Sequence, residues 1–404
     1  MDFNDTPEEA VFRAEARAWL TTNAPAHELP ADDDISDAEE VRRGRAWQRC
    51  LAEAGYAGIA LPVSFGGRGG TPLEAVIFAE EELNYRLPKG PYMGIGQGMA
   101  IAALVKHGTS AQIDRFVRPT LRGELTWCQL FSEPAAGSDL AAVRTRAIRT
   151  DGGWLITGQK LWSSWAHQAD WGILLARTDP ELPKHKGLSF FLLDMKSPGI
   201  DIRSIRQISG ASDFNETFLV DVHIPDDCLL GLPGDGWVCA MTVLNSERLN
   251  TGTEEPTCSV VELIDYARAT PRDGGTALDS GHVRLALAQF LAREQAEQLF
   301  QARLRTLASR GESAGALPAI LKLSFATRLQ KMSGFALELR ELPGLAFDDS
   351  DLTTPLFARD YLWGIVMRIA GGADEVLRNQ LAERVLGMPG EVRSDKDVPF
   401  NKLP

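Results

Sequence analysis

Apolar residues recur with a helical period over the first third of the chain. A capping box with proline at the first helical position, Thr6-Pro7-Glu8-Glu9, precedes an apolar stripe at Phe12, Ala16, Trp19 and Leu20. Ser36 and Thr71 begin two further capped segments. No strand precedes GIGQGMA, residues 94–100, so its glycines predict close helix packing and not a phosphate loop. The pattern predicts a helical N-terminal domain over residues 1–124.

Short β-rich runs replace this pattern near residue 125. Glycine, proline and aspartate separate the runs, which are Trp154 to Thr157, Trp171 to Ala176, Leu188 to Asp194, Ile200 to Ile205 and Phe214 to Val222. Helical periodicity returns at Gly236. It is clearest from His282 to Ala308, where Leu285, Leu291 and Leu299 fall at helical spacing. We therefore predict a central β domain over residues 125–232 and a second helical domain over residues 233–404.

Composition and charge exclude several classes of protein. The net charge of −13 disfavours a nucleic-acid partner, and no apolar run is long enough to cross a bilayer. The acidic start, MDFNDTPEEAVF, resembles no secretory or transit peptide, so a cytoplasmic location is expected. Five cysteines without C-x-x-C spacing predict reduced, mostly buried thiols, and six scattered histidines predict no metal site.

Two neighbouring stretches carry candidate chemistry. WCQLFSEPAAGSD, residues 127–139, contains a loop of small side chains whose backbone N–H groups suit an anionic or carbonyl-rich ligand. Further on, a turn at Gly158 is predicted to lead into a strand that carries Trp162 beside Ser163 and Ser164. A flat apolar wall next to hydroxyl groups suits an isoalloxazine ring. Taken singly, each stretch is more often an ordinary turn or a core strand.

Three motifs in order resemble the acyl-CoA dehydrogenase family of flavoproteins: SEPAAGSD, GQKLWSS and FNETFLVDVHIPDDCLLG. The resemblance implies an α+β multidomain fold with a helical N-terminal domain, a central β-barrel-like domain and a C-terminal four-helix bundle. It also implies FAD as the cofactor, an acyl-CoA substrate, an electron-transferring flavoprotein or similar acceptor, and a dimer or tetramer. The cofactor-binding residues that it implies are Phe131, Ser132, Gly137, Ser138, Trp162 and Ser164.

The family reaction is α,β-dehydrogenation of an acyl-CoA thioester, which needs a carboxylate base because the α-proton is a very weak acid. Many members carry this base in Y-E-G-T-x-E-I, where this chain has Gly371 in its place. Glu375 matches a second, noncatalytic glutamate of that motif. Other branches carry the base in L-x-x-E-R, which resembles residues 244–248 and implies Glu247 as the base.

Further roles follow from the same resemblance. Ser138, Asn245 and Arg248 are implied as substrate-binding residues. The backbone N–H of Gly371 is implied as a donor to the thioester oxygen, and its missing side chain leaves room for a carboxylate from another helix. A glutamate followed by arginine is also common on exposed helices, where it has no catalytic role.

The resemblance is weakest at residues 266–274, where many relatives carry R-x-T-F-G and use its arginine to contact FAD across a subunit interface. Here Thr270 replaces that arginine. Either the chain binds FAD by altered contacts in a homo-oligomer, or a related subunit completes each flavin site, as in heteromeric steroid-type acyl-CoA dehydrogenases. A flavin monooxygenase or oxidase on the same fold and a non-catalytic partner subunit are the alternative functions.

Overall fold

The computed structural model describes residues 5–30, 35–250, 257–272, 274–309, 312, 314–340 and 354–403. The chain divides into two compact units. Met1–Asn250 and Val392–Pro404 form the first unit, and Thr251–Glu391 form the second. The domain boundaries at 124/125 and 232/233 stay a prediction.

Helices fill the N-terminal part of the first unit. They are α1 (Pro7–Asn23), α2 (Asp37–Glu53), α3 (Pro72–Glu82), α4 (Pro91–Gly94), α5 (Ile101–His107) and α6 (Ser110–Leu121). The capping boxes at Thr6 and Thr71 are both present, and the hydroxyl of Ser36 accepts a hydrogen bond from the N–H of Glu39. The predicted helix starts are thus confirmed. The sequence could predict them because each cap depends on a hydrogen bond between residues three positions apart.

A π-helical segment, Ile95–Ala100, joins α4 to α5. A Cβ on Gly96 would lie 2.8 Å from the indole of Trp127 and 3.0 Å from the side chain of Thr120. This glycine therefore lets the segment approach its neighbours closely, which confirms the predicted helix packing. Single π-helical turns are uncommon and occur frequently at functional sites.

One mixed sheet forms the β part of the first unit. Its strands are β1 (Trp127–Leu130), β2 (Arg146–Thr150), β3 (Gly153–Ser164), β4 (Trp171–Arg177), β5 (Leu188–Asp194), β6 (Ile200–Ile205), β7 (Phe214–Pro225) and β8 (Leu229–Leu230). Their order is β6-β7-β3-β2-β4-β5-β8, and β1 pairs in parallel with β4. The five predicted runs all lie in strands, so the predicted β region is confirmed. The helix α7 (Gly236–Asn250) follows the sheet.

The predicted turn at Gly158 is wrong. Gly158 lies inside β3, where a register shift separates Ile156 and Gly158 in the pairing with β7. A Cβ at this position would lie 2.3 Å from Oγ1 of Thr145 and 2.7 Å from its Cα. The glycine is required by this close approach of the backbone to Thr145 and not by a turn.

We expect Gly158→Ala to destabilise the protein by about 1–3 kcal/mol, because the added methyl group overlaps the backbone of Thr145. Urea unfolding of the two proteins measures this difference. Gly281→Ala is the matched control, because a Cβ on Gly281 meets no atom within 4 Å. Equal stability of Gly158→Ala and the native protein would contradict the assignment.

The second unit is mainly helical. It contains α8 (Val260–Ala269), a small hairpin of β9 (Pro271–Arg272) and β10 (Gly275–Thr276), α9 (Gly281–Ser309), α10 (Pro318–Leu339), α11 (Thr354–Met367) and α12 (Asp374–Arg384). The helix α10 packs against α8, α9 and α11. The predicted helix from His282 is confirmed as α9, although Leu285 and Leu299 of its predicted stripe are exposed and Val283 and Leu287 are buried.

The structure also shows the state of the cysteines, the character of the helices and the grouping of metal-ligating side chains. All five cysteines are free thiols and four of them are buried, which confirms the prediction from their spacing. Within the described ranges, no helix has both the length and the apolar character that a bilayer span requires. The same residues contain no group of three or more His, Cys, Asp or Glu side chains that could hold a metal ion.

Candidate active site

The loop after β1 exposes backbone N–H groups to a ligand. Glu133 and Ala136 close it with reciprocal backbone hydrogen bonds of 3.0 Å, and the N–H of Leu161 donates to the carbonyl of Ser132 at 2.9 Å. Within the described part of the chain, the N–H groups of Gly137 and Ser138 have no hydrogen-bond partner. A Cβ on Gly137 would meet no atom within 4 Å. The loop can therefore bind an anionic or carbonyl group through its backbone.

The end of β3 presents an exposed indole. A register shift between Lys160 and Ser163 breaks the pairing with β7, and Trp162 at this shift has a left-handed φ of 61°. Its side chain is 55% exposed, and its ring lies 6.0 Å from that of Phe214. A left-handed tryptophan is unfavourable by itself, and such strain is often kept at binding sites. The bulge turns a large apolar surface out of the sheet.

The two serines after Trp162 occupy different environments. Ser163 is buried, and within the described residues its hydroxyl has no hydrogen-bond partner. Ser164 is only half-buried. The pairing of Leu161 with Ser132 places this strand end beside the loop, so the structure brings the two predicted cofactor-binding stretches together. Ser164 is therefore the more accessible of the two hydroxyls.

A buried ion pair holds the loop against the sheet. The ammonium of Lys160 is fully buried and donates to Oε1 of Glu133 at 2.8 Å, to the carbonyl of Phe131 at 3.0 Å and to that of Leu175 at 2.7 Å. The carboxylate of Glu133 also accepts from the N–H groups of Arg144 at 2.6 Å and Thr145 at 2.9 Å. The hydrogen bonds of Lys160 and Glu133 thus hold the loop after β1 against the sheet.

These contacts set the charge states of the pair. Burial alone would raise the pKa of Glu133, but Lys160 and the donors around the carboxylate lower it overall. Burial lowers the pKa of Lys160 to about 8, although Glu133 opposes that shift. Both side chains are therefore mainly charged at pH 7. Sequence analysis missed this pair, and its only signal was a lysine directly before the apolar residues Leu161 and Trp162 of β3.

The residues present fit FAD. The unpartnered N–H groups of Gly137 and Ser138 suit its phosphates or ring carbonyls, and the exposed indole of Trp162 suits an aromatic ring. The hydroxyls of Ser132 and Ser164 add hydrogen-bonding groups at the same strand end. Their assignment to the cofactor stays a prediction, as does that of Phe131, whose side chain is buried against Phe190.

The helix α7 carries the predicted base. Glu247 is half-buried, Asn245 is exposed, and the side chain of Arg248 lies outside the described residues. The hydroxyl of Ser246 donates to the carbonyl of Gly98, so α7 packs on the π-helical segment. The residue before Glu247 is thereby anchored to the π-helical segment at Gly98.

A second contact, which sequence analysis missed, anchors α7 to α5. Nε2 of His107 lies 2.8 Å from Oγ1 of Thr242. Burial lowers the pKa of His107 below 6.5; Lys106 acts in the same direction and Asp235 in the opposite one. The folded protein therefore takes up this proton at lower pH than the unfolded chain, and the contribution to stability present above pH 6.5 is lost as pH falls through the folded pKa.

We expect the free energy of unfolding to fall less between pH 7.5 and pH 5.5 in His107→Asn than in the native protein. Asparagine takes up no proton in this pH range, so the variant lacks the loss of stability that protonation of His107 causes. Urea unfolding at both pH values measures the effect. His282→Asn is the matched control, since His282 is exposed at the start of α9. An unchanged pH dependence in His107→Asn would contradict the prediction.

In the second unit, Gly371 and Gly372 form a tight turn with φ values of 64° and 100°. The ammonium of the buried Lys322 donates to the carbonyl of Gly372 at 2.6 Å. Asp374 is also buried and pairs with Arg368 at 2.8 Å. Both φ values favour glycine, so the structure has a backbone reason for these residues whatever their role in catalysis. Glu375 is exposed.

Three family comparisons cover most of the chain. Residues 6–124 match the N-terminal domain of acyl-CoA dehydrogenases, residues 128–222 the middle domain and residues 234–386 the C-terminal domain. These matches confirm the predicted α+β fold with its helical, β and helical parts.

Individual proteins that are similar to this chain are also named acyl-CoA dehydrogenases. Acyl-CoA dehydrogenase FadE34 of Mycobacterium tuberculosis is 40% identical over 85% of this chain, which spans 46% of that relative's length. Acyl-CoA dehydrogenase IpdE1 of the same organism is 34% identical over 95% of this chain and 98% of its own length. A solved structure, the Tcur3481-Tcur3483 steroid ACAD, matches 97% of this chain and 100% of its own chain with a TM-score of 0.79 and 28% identity. The chain therefore belongs to the acyl-CoA dehydrogenase family of FAD-dependent oxidoreductases.

Proposed function

We propose that this protein catalyses the FAD-dependent α,β-dehydrogenation of an acyl-CoA thioester to the trans-2-enoyl-CoA. One observation carries the proposal: the loop with unpartnered N–H groups at Gly137 and Ser138 lies beside the strand end that exposes Trp162. Such a cradle suits a flavin, and the family to which the chain belongs uses FAD for this reaction.

The chemical roles are assigned as follows. Glu247 removes the α-proton of the thioester, because a carboxylate placed beside the α-carbon can accept that proton as a general base. Bound FAD supplies the acceptor for the hydride that leaves the β-carbon. Phe131, Ser132, Gly137, Ser138, Trp162 and Ser164 hold the cofactor. Ser138, Asn245 and Arg248 hold the substrate, and the N–H of Gly371 is proposed to bind a carbonyl oxygen.

For the substrate class we propose a steroid-derived acyl-CoA, and for the assembly a hetero-oligomer with a related subunit. The support is the likeness to the Tcur3481-Tcur3483 steroid ACAD, a pair of proteins described as a steroid enzyme. The altered segment at residues 266–274, where Thr270 stands in place of the usual arginine, is consistent with a flavin site that another chain completes. An electron-transferring flavoprotein or a similar protein is the proposed acceptor.

Anaerobic titration tests the reaction. Adding a saturated steroid-side-chain CoA thioester to the flavin-loaded protein is expected to bleach the flavin absorbance. One 2-enoyl thioester is expected to form for each flavin that is reduced. A straight-chain acyl-CoA of similar length is the control for substrate class. Bleaching only by non-thioester substrates, or oxygen consumption coupled to hydroxylation, would favour the monooxygenase or oxidase alternative instead.

The ratio of FAD to protein tests the assembly. The chain expressed alone is expected to hold less than one FAD per chain, and the ratio is expected to rise when its partner subunit is co-expressed. One tightly bound FAD per chain in a homo-oligomer would contradict the pairing and leave the dehydrogenase proposal intact.

A further inference from the structure

The segment Val392–Leu403 folds back onto the β part of the first unit. The N–H of Phe400 donates to the carbonyl of Leu182 at 3.0 Å, and that of Asn401 donates to the carbonyl of Pro180 at 2.9 Å. A β-bridge pairs Pro183 with Pro399 beside them. The segment is therefore attached to the connection between β4 and β5 by backbone contacts that do not depend on its side chains.

An arginine links this segment to Ala141 and Val143, which follow the SEPAAGSD loop of residues 132–139. The guanidinium of Arg177 lies 3.5 Å from the ring centroid of Phe400. The same guanidinium donates to the carbonyls of Ala141 at 2.6 Å, Val143 at 3.1 Å and Lys184 at 3.1 Å. Burial lowers the pKa of Arg177 to about 10, so it stays charged at neutral pH. The ring of Phe400 covers one face of a cation that ties the residues after Asp139 to the sheet.

A lysine makes a second link. The ammonium of the buried Lys184 lies 2.7 Å from Oδ2 of Asp139 and 2.5 Å from Oδ2 of Asp395. Asp395 is also paired with Arg393 at 2.8 Å. Asp139 is the last residue of the SEPAAGSD loop. One lysine therefore joins the end of this loop to the segment Val392–Leu403.

We propose that Val392–Leu403 is a strap that positions the cofactor loop, residues 132–139, through Phe400 on Arg177 and Asp395 on Lys184. The strap complements the Lys160–Glu133 pair, because that pair holds the start of the loop and the strap holds its end. The positioning role rests on the proposed cofactor site. Phe400 and Asp395 act through Arg177 and Lys184, and so they are positioning residues.

The test uses the full chain with Phe400→Ala and Asp395→Asn, and a third variant that ends at Glu391. Two readouts are independent of turnover: amide hydrogen exchange of residues 132–145 in the FAD-free protein, and the Kd of FAD from its visible spectrum. All three variants are expected to exchange these amides at least about fivefold faster and to bind FAD at least about fivefold more weakly, about 1 kcal/mol at 25 °C. Phe400→Tyr is expected to keep the native exchange rate and the native Kd of FAD, because it keeps an aromatic ring over Arg177.

Matched controls separate the strap from general destabilisation. Leu386→Ala removes an exposed apolar side chain and Glu391→Gln removes an exposed carboxylate, and neither residue lies in the strap. Native exchange and native FAD affinity in Phe400→Ala and Asp395→Asn would overturn the strap, whether or not the truncated protein folds. Faster exchange with unchanged FAD affinity would support the restraint on the loop and contradict the cofactor site on which the proposed function depends.

Discussion

Replacing Glu247 by glutamine is expected to lower the rate of flavin reduction by acyl-CoA about 10²–10⁴-fold, the usual contribution of a positioned general base. Glutamine has nearly the shape of glutamate but cannot accept the α-proton. FAD binding is expected to stay within about twofold, because the proposed cofactor residues lie on the loop after β1 and on β3, while Glu247 lies on α7. Stopped-flow measurement of the flavin absorbance after anaerobic mixing gives the rate directly.

Glu375→Gln is the matched control for this variant. Glu375 is the other glutamate that the family motifs bring into question, and its side chain is 78% exposed beside Arg378. We expect its rate to stay within about twofold of the native rate, as for most exposed surface changes. A Glu247→Gln protein that reduces its flavin at the native rate would remove Glu247 as the base and would favour the non-catalytic subunit.

Lys160→Met is expected to destabilise the protein by about 3–5 kcal/mol, because it leaves the carboxylate of Glu133 buried without its counter-ion. Methionine fills most of the volume of the lysine stem, so the loss is mainly electrostatic. The carbonyls of Phe131 and Leu175 also lose their donor. Urea unfolding of the FAD-free protein measures the change, and the affinity for FAD is expected to fall with it because the loop loses its anchor.

Two further variants isolate the buried charge. Adding Glu133→Gln to Lys160→Met is expected to recover part of the lost stability, because no uncompensated charge is then buried. Lys196→Met is the matched control: its side chain is 76% exposed, and its pair with Asp170 is expected to contribute at most about 1 kcal/mol. If Lys160→Met and Lys196→Met cost the same, the buried pair does not hold the loop.

Local signals account for most of what the sequence predicted about the fold. The helix starts at Thr6 and Thr71 depend on hydrogen bonds between residues three positions apart, so the sequence alone contains the cause. The strand from Leu188 to Asp194 was predicted with its correct ends because a short apolar run is bounded by turn residues. The strand around Trp154 was predicted too short, since its length depends on pairing with β7, whose paired residues lie 50 to 72 positions further along the chain.

The candidate site shows the same division. The small loop at residues 132–139 and the aromatic strand end at Trp162 were recognisable as motifs, and so was the replacement of the usual base by Gly371. The reason for Gly158 was not, because the atoms that exclude a side chain belong to Thr145, the residue before β2. The assignment of Glu247 as the base stays a prediction that rests on resemblance, and nothing in its local sequence separates a base from a surface glutamate.

The sequence by itself determined the order of helical and β segments, the helix caps, the thiol state of the cysteines and the family motifs, because each of these depends on composition or on neighbours within a few residues. Only the tertiary structure decided that Lys160 is buried against Glu133, that Trp162 turns out of the sheet, and that Phe400 covers Arg177. The contact between Lys160 and Glu133 joins residues 27 positions apart, and the contact between Phe400 and Arg177 joins residues more than two hundred positions apart. The burial and charge of such groups depend on which distant segments the folded chain places beside them.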